Sequence, residues 1–403
     1  MILRYKIPKY ESGRAVQKVA LLVSLLVLMT PFAGRTQETL ELPLPLDVIA
    51  GPAPMPVKAD GRIRLLYELR FADFGSSIPL ELSRLEVIGD GRLIASYEGK
   101  AIDRLLTTIG PTSAGTTARR LEPGRTAIMF LDIALPPGAP APLQLAHRVT
   151  VRDTDAGRTE TVDGPALEVP QKSPRVIGPP VRGSRWDAAF GLSDRDNHRR
   201  SLVTNNGKTW LPDRFAIDWV QLGPDGRLFH GDASRNSNFY DYGADVLAVA
   251  DGRVVNIVDG IPENAGLNHH RSVPMTVRTI AGNAVILDLG GGVYAAYDHL
   301  QPGSIRVRSG QRVETGQVLA RLGNSGNAMA PHLHFQLMDQ PVHLAGDGIP
   351  YHLPTFSQVG EAPSVPLLLS GEAWLPGREA PIMRRREFPL DNAVVNFPSN
   401  SPR

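Results

Sequence analysis

The sequence predicts a mainly β protein with two β-rich units in series. Three observations carry that reading. The 39 glycines and 35 prolines exceed ordinary usage and separate short runs of apolar residues. Those runs recur at the cadence of strands and tight turns, with Asp60-Gly61 and Asp90-Gly91 among the turn pairs. A length of 403 residues is more than one ordinary core holds, and a proline-rich stretch divides it.

The chain opens on Arg4, Lys6, Lys9, Arg14 and Lys18, then the apolar run from Val19 to Met29. Such a run of about 11 residues suits a secretory leader and falls short of the ~20 that span a bilayer. Small residues at Ala33 and Gly34 offer a cleavage point, so residues 1–34 read as a signal peptide, with an uncleaved anchor as the alternative. The chain contains no cysteine, which excludes disulfides, thiolate metal clusters and a cysteine nucleophile. Export without cysteine points to a bacterial envelope compartment, the periplasm above all. Net charge is only +2, so no strong field favours nucleic acid or an anionic membrane.

The first unit, residues 38–175, reads as strands at Ile63 to Phe71, Leu82 to Val87, Leu93 to Tyr97, Thr126 to Leu135, Leu143 to Val151 and Ala166 to Val169. Several alternate, and their turn spacing predicts an immunoglobulin-like β-sandwich. Asp103 to Ile109 reads as a short helix, and His147 as a packed or edge histidine. The linker runs from Pro170 to Pro180, where proline opposes helix and central strand alike. A second β-rich unit covers 181–354. Residues 355–403 read as an extended tail, with Ala393 to Phe397 docking on a neighbour and the rest, including Arg384-Arg385-Arg386, flexible.

The second unit gathers the chemistry. Pro331-His332-Leu333-His334-Phe335 follows the Gly-rich segment Gly323-Asn324-Ser325-Gly326. On a strand, residues two apart share a face at roughly 6.5–7 Å, so one imidazole can bind a metal while the other reaches what the metal holds. Ahead of it stand Arg214-Phe215-Ala216-Ile217-Asp218-Trp219, a strand–turn–strand hairpin around Asp251-Gly252, and Tyr297-Asp298-His299-Leu300.

In that order, from about Phe215 to Phe335, these segments resemble the LytM/lysostaphin-type zinc metallopeptidases of bacterial peptidoglycan. The family pattern is His-x-x-x-Asp, then Tyr-x-His-Leu, then His-x-His before Phe. The resemblance implies a LytM-type antiparallel β-sheet peptidase domain. It implies Asp218 and His334 as zinc ligands, and His299 and His332 as the pair flanking the attacking water and the scissile carbonyl. The substrates implied are peptidoglycan stem or cross-link peptides.

One position departs: where the family has its first histidine, this chain has Arg214. A guanidinium offers no lone pair. Held ~4 Å from a dication, it would meet a repulsion of roughly 8 kcal/mol at an effective dielectric of ~20. Arg214 must therefore point away, or the metal is absent. Catalytic zinc usually takes three protein ligands. His198, which precedes Asp218 by a segment long enough to fold back, is the first candidate for the third. His230 is the second, and a site without a third ligand is the remaining alternative. The His269-His270 pair reads as solvated, and His343 and His352 as loop residues. The loop from Asp259 to Gly282 is long enough to wall or cover a groove.

Two competing readings follow. A lipoyl- or biotinyl-type carrier needs a lysine on an exposed hairpin turn, and after Lys172 the sequence has only Lys208, outside those hairpins. A degenerate LytM-type module, binding the cell wall or activating a separate amidase, is the alternative that Arg214 favours.

Overall fold

Alternation builds the first unit. The Gln144–Asp153 strand buries every second side chain, so one face meets a core and the other meets water. The computed structural model describes residues 43–74, 77–110, 117–193, 198–378 and 380–398; the leader read at 1–34 lies outside them. One five-stranded sheet orders Asp47–Ala50, Arg62–Ala72, Thr126–Ala134 and Leu106–Ile109, with Val57–Ala59 also on Arg62–Ala72. A six-stranded sheet orders Thr159–Asp163, Gln144–Asp153, Leu80–Gly89 and Arg92–Glu98, with two short strands beside them. Their inner faces share one apolar core, with Tyr67, Leu69 and Phe71 from the first sheet and Leu82, Leu85 and Val149 from the second. Asp90 and Gly91, at φ 47° and 78°, supply the left-handed pair that the hairpin between Leu80–Gly89 and Arg92–Glu98 requires.

The helix expected over Asp103 to Ile109 lies earlier, at Lys100–Leu105. Leu106–Ile109 is instead a strand paired with Thr126–Ala134, as its β-branched Thr107, Thr108 and Ile109 favour.

A 12-stranded sheet forms most of the rest, beside two two-stranded ribbons, Val203–Asn205 with Lys208–Trp210 and Asp245–Leu247 with Val318–Arg321. Its central run is Ala393–Asn396, Trp186–Ala189, Ile217–Gln221, Leu333–Met338, Tyr294–Leu300, Asn283–Asp288 and Gly252–Val258, each antiparallel to the next. Leu333–Met338 is buried on both faces. Leu333, Phe335 and Leu337 enter the main core with Trp219, Tyr297 and Tyr351. His334 and Gln336 point to the opposite face.

The C-terminal segment corrects the sequence reading. The described part of 355–403, the segment read as an extended tail, is folded: Tyr351–Glu361, Ile382–Glu387 and Ala393–Asn396 are strands of the large sheet. Val394 and Val395 are fully buried, one on each face. The arginine run lies on Ile382–Glu387, which pairs with Tyr351–Glu361; Arg385 and Arg386 stay exposed, while Arg384 hydrogen-bonds Gln358 and pairs with Asp60. Residues 44–403 make one compact unit, and the linker's Arg175–Val176 pairs in parallel with Tyr351 and His352. Among the described residues no helix is long and apolar enough to cross a membrane.

The strand Arg62–Ala72 is buried on both faces from Leu65 to Leu69. Its inward residues enter the first core, whereas Leu66 joins the core of the large sheet. Its Glu68 thus lies against the second unit, where it meets Arg199 and Arg214.

Candidate metal centre

Strand register assembles the centre. His334 is the Cα partner of Asp218 on one side and of Asp298 on the other. Directly paired residues in an antiparallel ladder project to the same face, so one imidazole is set between two carboxylates. His334 Nδ1 lies 2.9 Å from Asp218 Oδ1, and its Nε2 lies 2.8 Å from Gln336 Oε1. The glutamine oxygen accepts the Nε2 proton, which directs Nδ1 toward Asp218.

His198 arrives from the segment before the Ile217–Gln221 strand. Its Nε2 is 3.5 Å from Asp218 Oδ2, and its ring stands edge-on to His334 at 4.9 Å. His198, Asp218 and His334 each offer a ligand atom, and these atoms lie within 4.8 Å of one another. Two nitrogens and a carboxylate oxygen are a donor set of catalytic zinc, whose bonds of about 2.0–2.2 Å place donors roughly 3.3–3.5 Å apart. The 3.5 Å from His198 Nε2 to Asp218 Oδ2 matches that spacing, while the 2.9 Å from His334 Nδ1 to the other oxygen, Oδ1, is the shorter distance of a hydrogen bond. His198 Nδ1 is buried and has no hydrogen-bond partner among the described residues. These residues fit a divalent ion.

Arg214 points away from the centre. Its guanidinium donates to Glu68 Oε2 at 2.7 Å and to Oε1 at 3.3 Å. His230 is exposed, with its ring 5.5 Å from Tyr240, and takes no part in the cluster.

His299 and His332 stand beside the three donors, their rings 4.7 Å apart. His299 Nδ1 donates to the Ser325 carbonyl at 2.8 Å, and His332 Nδ1 to the Ala330 carbonyl at 2.9 Å. Each ring therefore turns Nε2 inward, and His332 Nε2 is 3.5 Å from Asp218 Oδ2. His299, next to last in the strand Tyr294–Leu300, sits in the left-handed region at φ 62°, an uncommon conformation for a residue with a Cβ. The Gly-rich segment explains how Ser325 reaches it. A Cβ on Gly282 would stand 2.4 Å from Ser325 Oγ, and one on Gly326 would stand 2.3 Å from the Gly282 nitrogen. Only bare backbone permits that approach.

Electrostatics divides the histidines. Burial opposes charge on His334, but the hydrogen bond and charge of Asp218 outweigh it and raise its pKa to about 10. Burial likewise works against charge on Asp218, yet His332, His198 and His334 hold it well below the usual carboxylate range. His299 goes the other way: burial, reinforced by His332, pushes it down to about 3.

Several contributors were illegible in the sequence. Asp298 is buried and bonded to His343 Nε2 at 2.7 Å, so His343 is part of the centre's surroundings and not a free loop residue. Burial favours the neutral forms of both, but each holds the other charged, lowering Asp298 and raising His343. Asp213 Oδ1 stands 3.8 Å from His334 Nε2. His352, also read as a loop residue, lies on a strand and accepts the Lys58 N–H. His343 sits in Pro341-Val342-His343-Leu344, which has no periodicity to announce it. The cluster lines a groove of about 490 Å³, and the 259–282 segment contributes Arg271, Ile280 and Ala281 to its wall. His269 and His270 are exposed, as read.

Residues 238–345 match Peptidase family M23, so the LytM-type resemblance read from the motifs holds. That span includes His299, His332 and His334 but begins after His198 and Asp218. Over 72 residues the chain is 38% identical to the peptidoglycan DD-endopeptidase ShyA of Vibrio cholerae, a match covering 17% of this chain and 16% of that protein. Over 144 residues it is 28% identical to the glycyl-glycine endopeptidase ALE-1 of Staphylococcus capitis, covering 35% and 33%. The chain thus spans a third or less of the length of these curated relatives. The catalytic domain of the prophage-encoded M23 protein EnpA from Enterococcus faecalis aligns at 16% identity and a TM-score of 0.24, covering 44% of this chain and 92% of that one.

Proposed function

We propose, from an M23-type domain whose cleft holds a His-Asp-His donor set, that this protein is a zinc-dependent endopeptidase of peptidoglycan. The observation that carries the reading is the convergence of His198, Asp218 and His334, with His299 and His332 beside them. Zinc bound there supplies Lewis acidity, polarising a carbonyl and lowering the pKa of water from 15.7 to about 7.

The chain's own groups supply the proton transfers. Both flanking rings carry their proton at Nδ1, on backbone carbonyls, so each Nε2 is free to accept one. At 4.7 Å the two rings disfavour a double positive charge, so the pair handles one proton at a time. The ring that takes a proton from water acts as general base; once charged it donates to the developing oxyanion or the leaving amine. Gln336 keeps His334 in the tautomer that presents Nδ1.

Arg214 is the feature that favours a degenerate module acting on the wall or on an amidase. Its contact with Glu68, and the presence of His198 at the vacancy, support a relocated ligand instead. Residues 1–34 would direct export to the envelope, where such a substrate lies. The test is product analysis: zinc-loaded protein incubated with purified peptidoglycan should release fragments bearing new amine and carboxylate ends, and His334→Ala should not. Intact cross-links and stems after exposure to the loaded protein would remove the enzyme reading.

A further inference from the structure

His198, the third donor, belongs to no strand of the sheet that carries Asp218 and His334. The next two residues tie it instead to the N-terminal sheet. Arg199, only 1% exposed, pairs with Glu68 and donates from Nη2 to the Tyr67 and Leu131 carbonyls, each at 3.2 Å. Its guanidinium also lies 5.2 Å from the centre of the Phe130 ring. Arg200 reaches Thr107 Oγ1 and the Arg104 carbonyl. These partners of Arg199 and Arg200 belong to the first unit. Glu68 is itself buried and held on its other oxygen by Arg214, the residue at the family's first-ligand position.

We infer that Glu68 is a positioning residue for the metal centre, holding His198 in ligand geometry through Arg199, so that the N-terminal sheet completes the site. The substitution at 214 and the recruitment of His198 are then one arrangement. The arginine that cannot bind a metal fixes the carboxylate, and the carboxylate fixes the arm bearing the replacement donor. A ligand on an irregular segment binds weakly unless its neighbours remove its freedom beforehand. In this arm the removal is done by a buried guanidinium that reaches Glu68 and two backbone carbonyls, the type of group suited to rigid contacts.

The inference rests on the zinc reading, and the experiment separates the two. Zinc affinity is measured by chelator competition on the full chain for wild type, Glu68→Gln, His198→Ala and the double variant. Glu68→Asp is run in parallel because it keeps the buried charge if the glutamine variant does not fold. Loss of a group that orients a ligand costs roughly 10–100-fold in metal affinity. The Glu68 change should weaken zinc by that factor in the wild-type background and by almost nothing once His198 is alanine. An equal loss in both backgrounds, or wild-type affinity in a folded Glu68 variant, overturns the inference while leaving the zinc site standing. A wild-type protein that binds no zinc overturns both.

Discussion

Zinc binding should expel a proton from His334, and the effect on affinity is large. In the metal-free protein Asp218 raises His334 to about 10, so at neutral pH the ring is charged and Nδ1 carries a proton shared with Asp218 Oδ1. A charged imidazole has no lone pair for a metal. Asp218, held far below neutrality, takes no part in the titration. Between pH 7 and 9 the apparent zinc affinity should therefore rise about tenfold per pH unit, a change of about 100-fold or ~2.7 kcal/mol. The rise should level off above about pH 10, where His334 is already neutral. Competition against a chelator of known proton affinity at pH 7, 8 and 9 measures the slope, and calorimetry in buffers of different ionisation heat counts the protons. A flat affinity across that window, with no proton released, refutes the reasoning.

Three further outcomes follow from the same geometry. His299→Ala and His332→Ala should each keep the metal and lose about 10²–10⁴-fold in peptide-bond cleavage, read by zinc analysis alongside turnover. Arg214→Met should lower unfolding free energy by about 2–3 kcal/mol, through loss of its charged hydrogen bonds to Glu68, and should weaken zinc by less than a Glu68 change does, because Arg199 still holds the carboxylate; a folded variant with wild-type stability in denaturant titration would refute the Arg214–Glu68 contribution. Removing residues 391–403 deletes the Ala393–Asn396 strand from between Trp186–Ala189 and Tyr351–Glu361, so cooperative thermal unfolding should vanish.

Much of this was legible wherever local chemistry and tertiary use agree. The strands around Asp90-Gly91 announce themselves because the turn demands left-handed residues and the flanks alternate. Asp218, His299, His332 and His334 are visible because their spacing follows the strands that carry them. Excluding Arg214, which cannot donate an electron pair, left His198, His230 or no third donor open, and only the fold sets His198 beside Asp218. The remainder depends on distant partners. Nothing in the Ile63 to Phe71 run singles out Glu68, and only the docked second unit makes it a buried anion. His343 has a role because Asp298 lies opposite it, 45 positions away in sequence. Arg384-Arg385-Arg386 reads as a solvated tail because charge hides an edge strand, the position where sheets place charge to discourage further pairing.

Elemental analysis of the purified protein beside its His198→Ala and His230→Ala variants tests the central claim most directly. The account predicts close to one zinc per chain in the parent and in His230→Ala, and almost none in His198→Ala. A folded parent protein that holds no zinc when supplied with it, or a His198→Ala variant that keeps full occupancy, would contradict it.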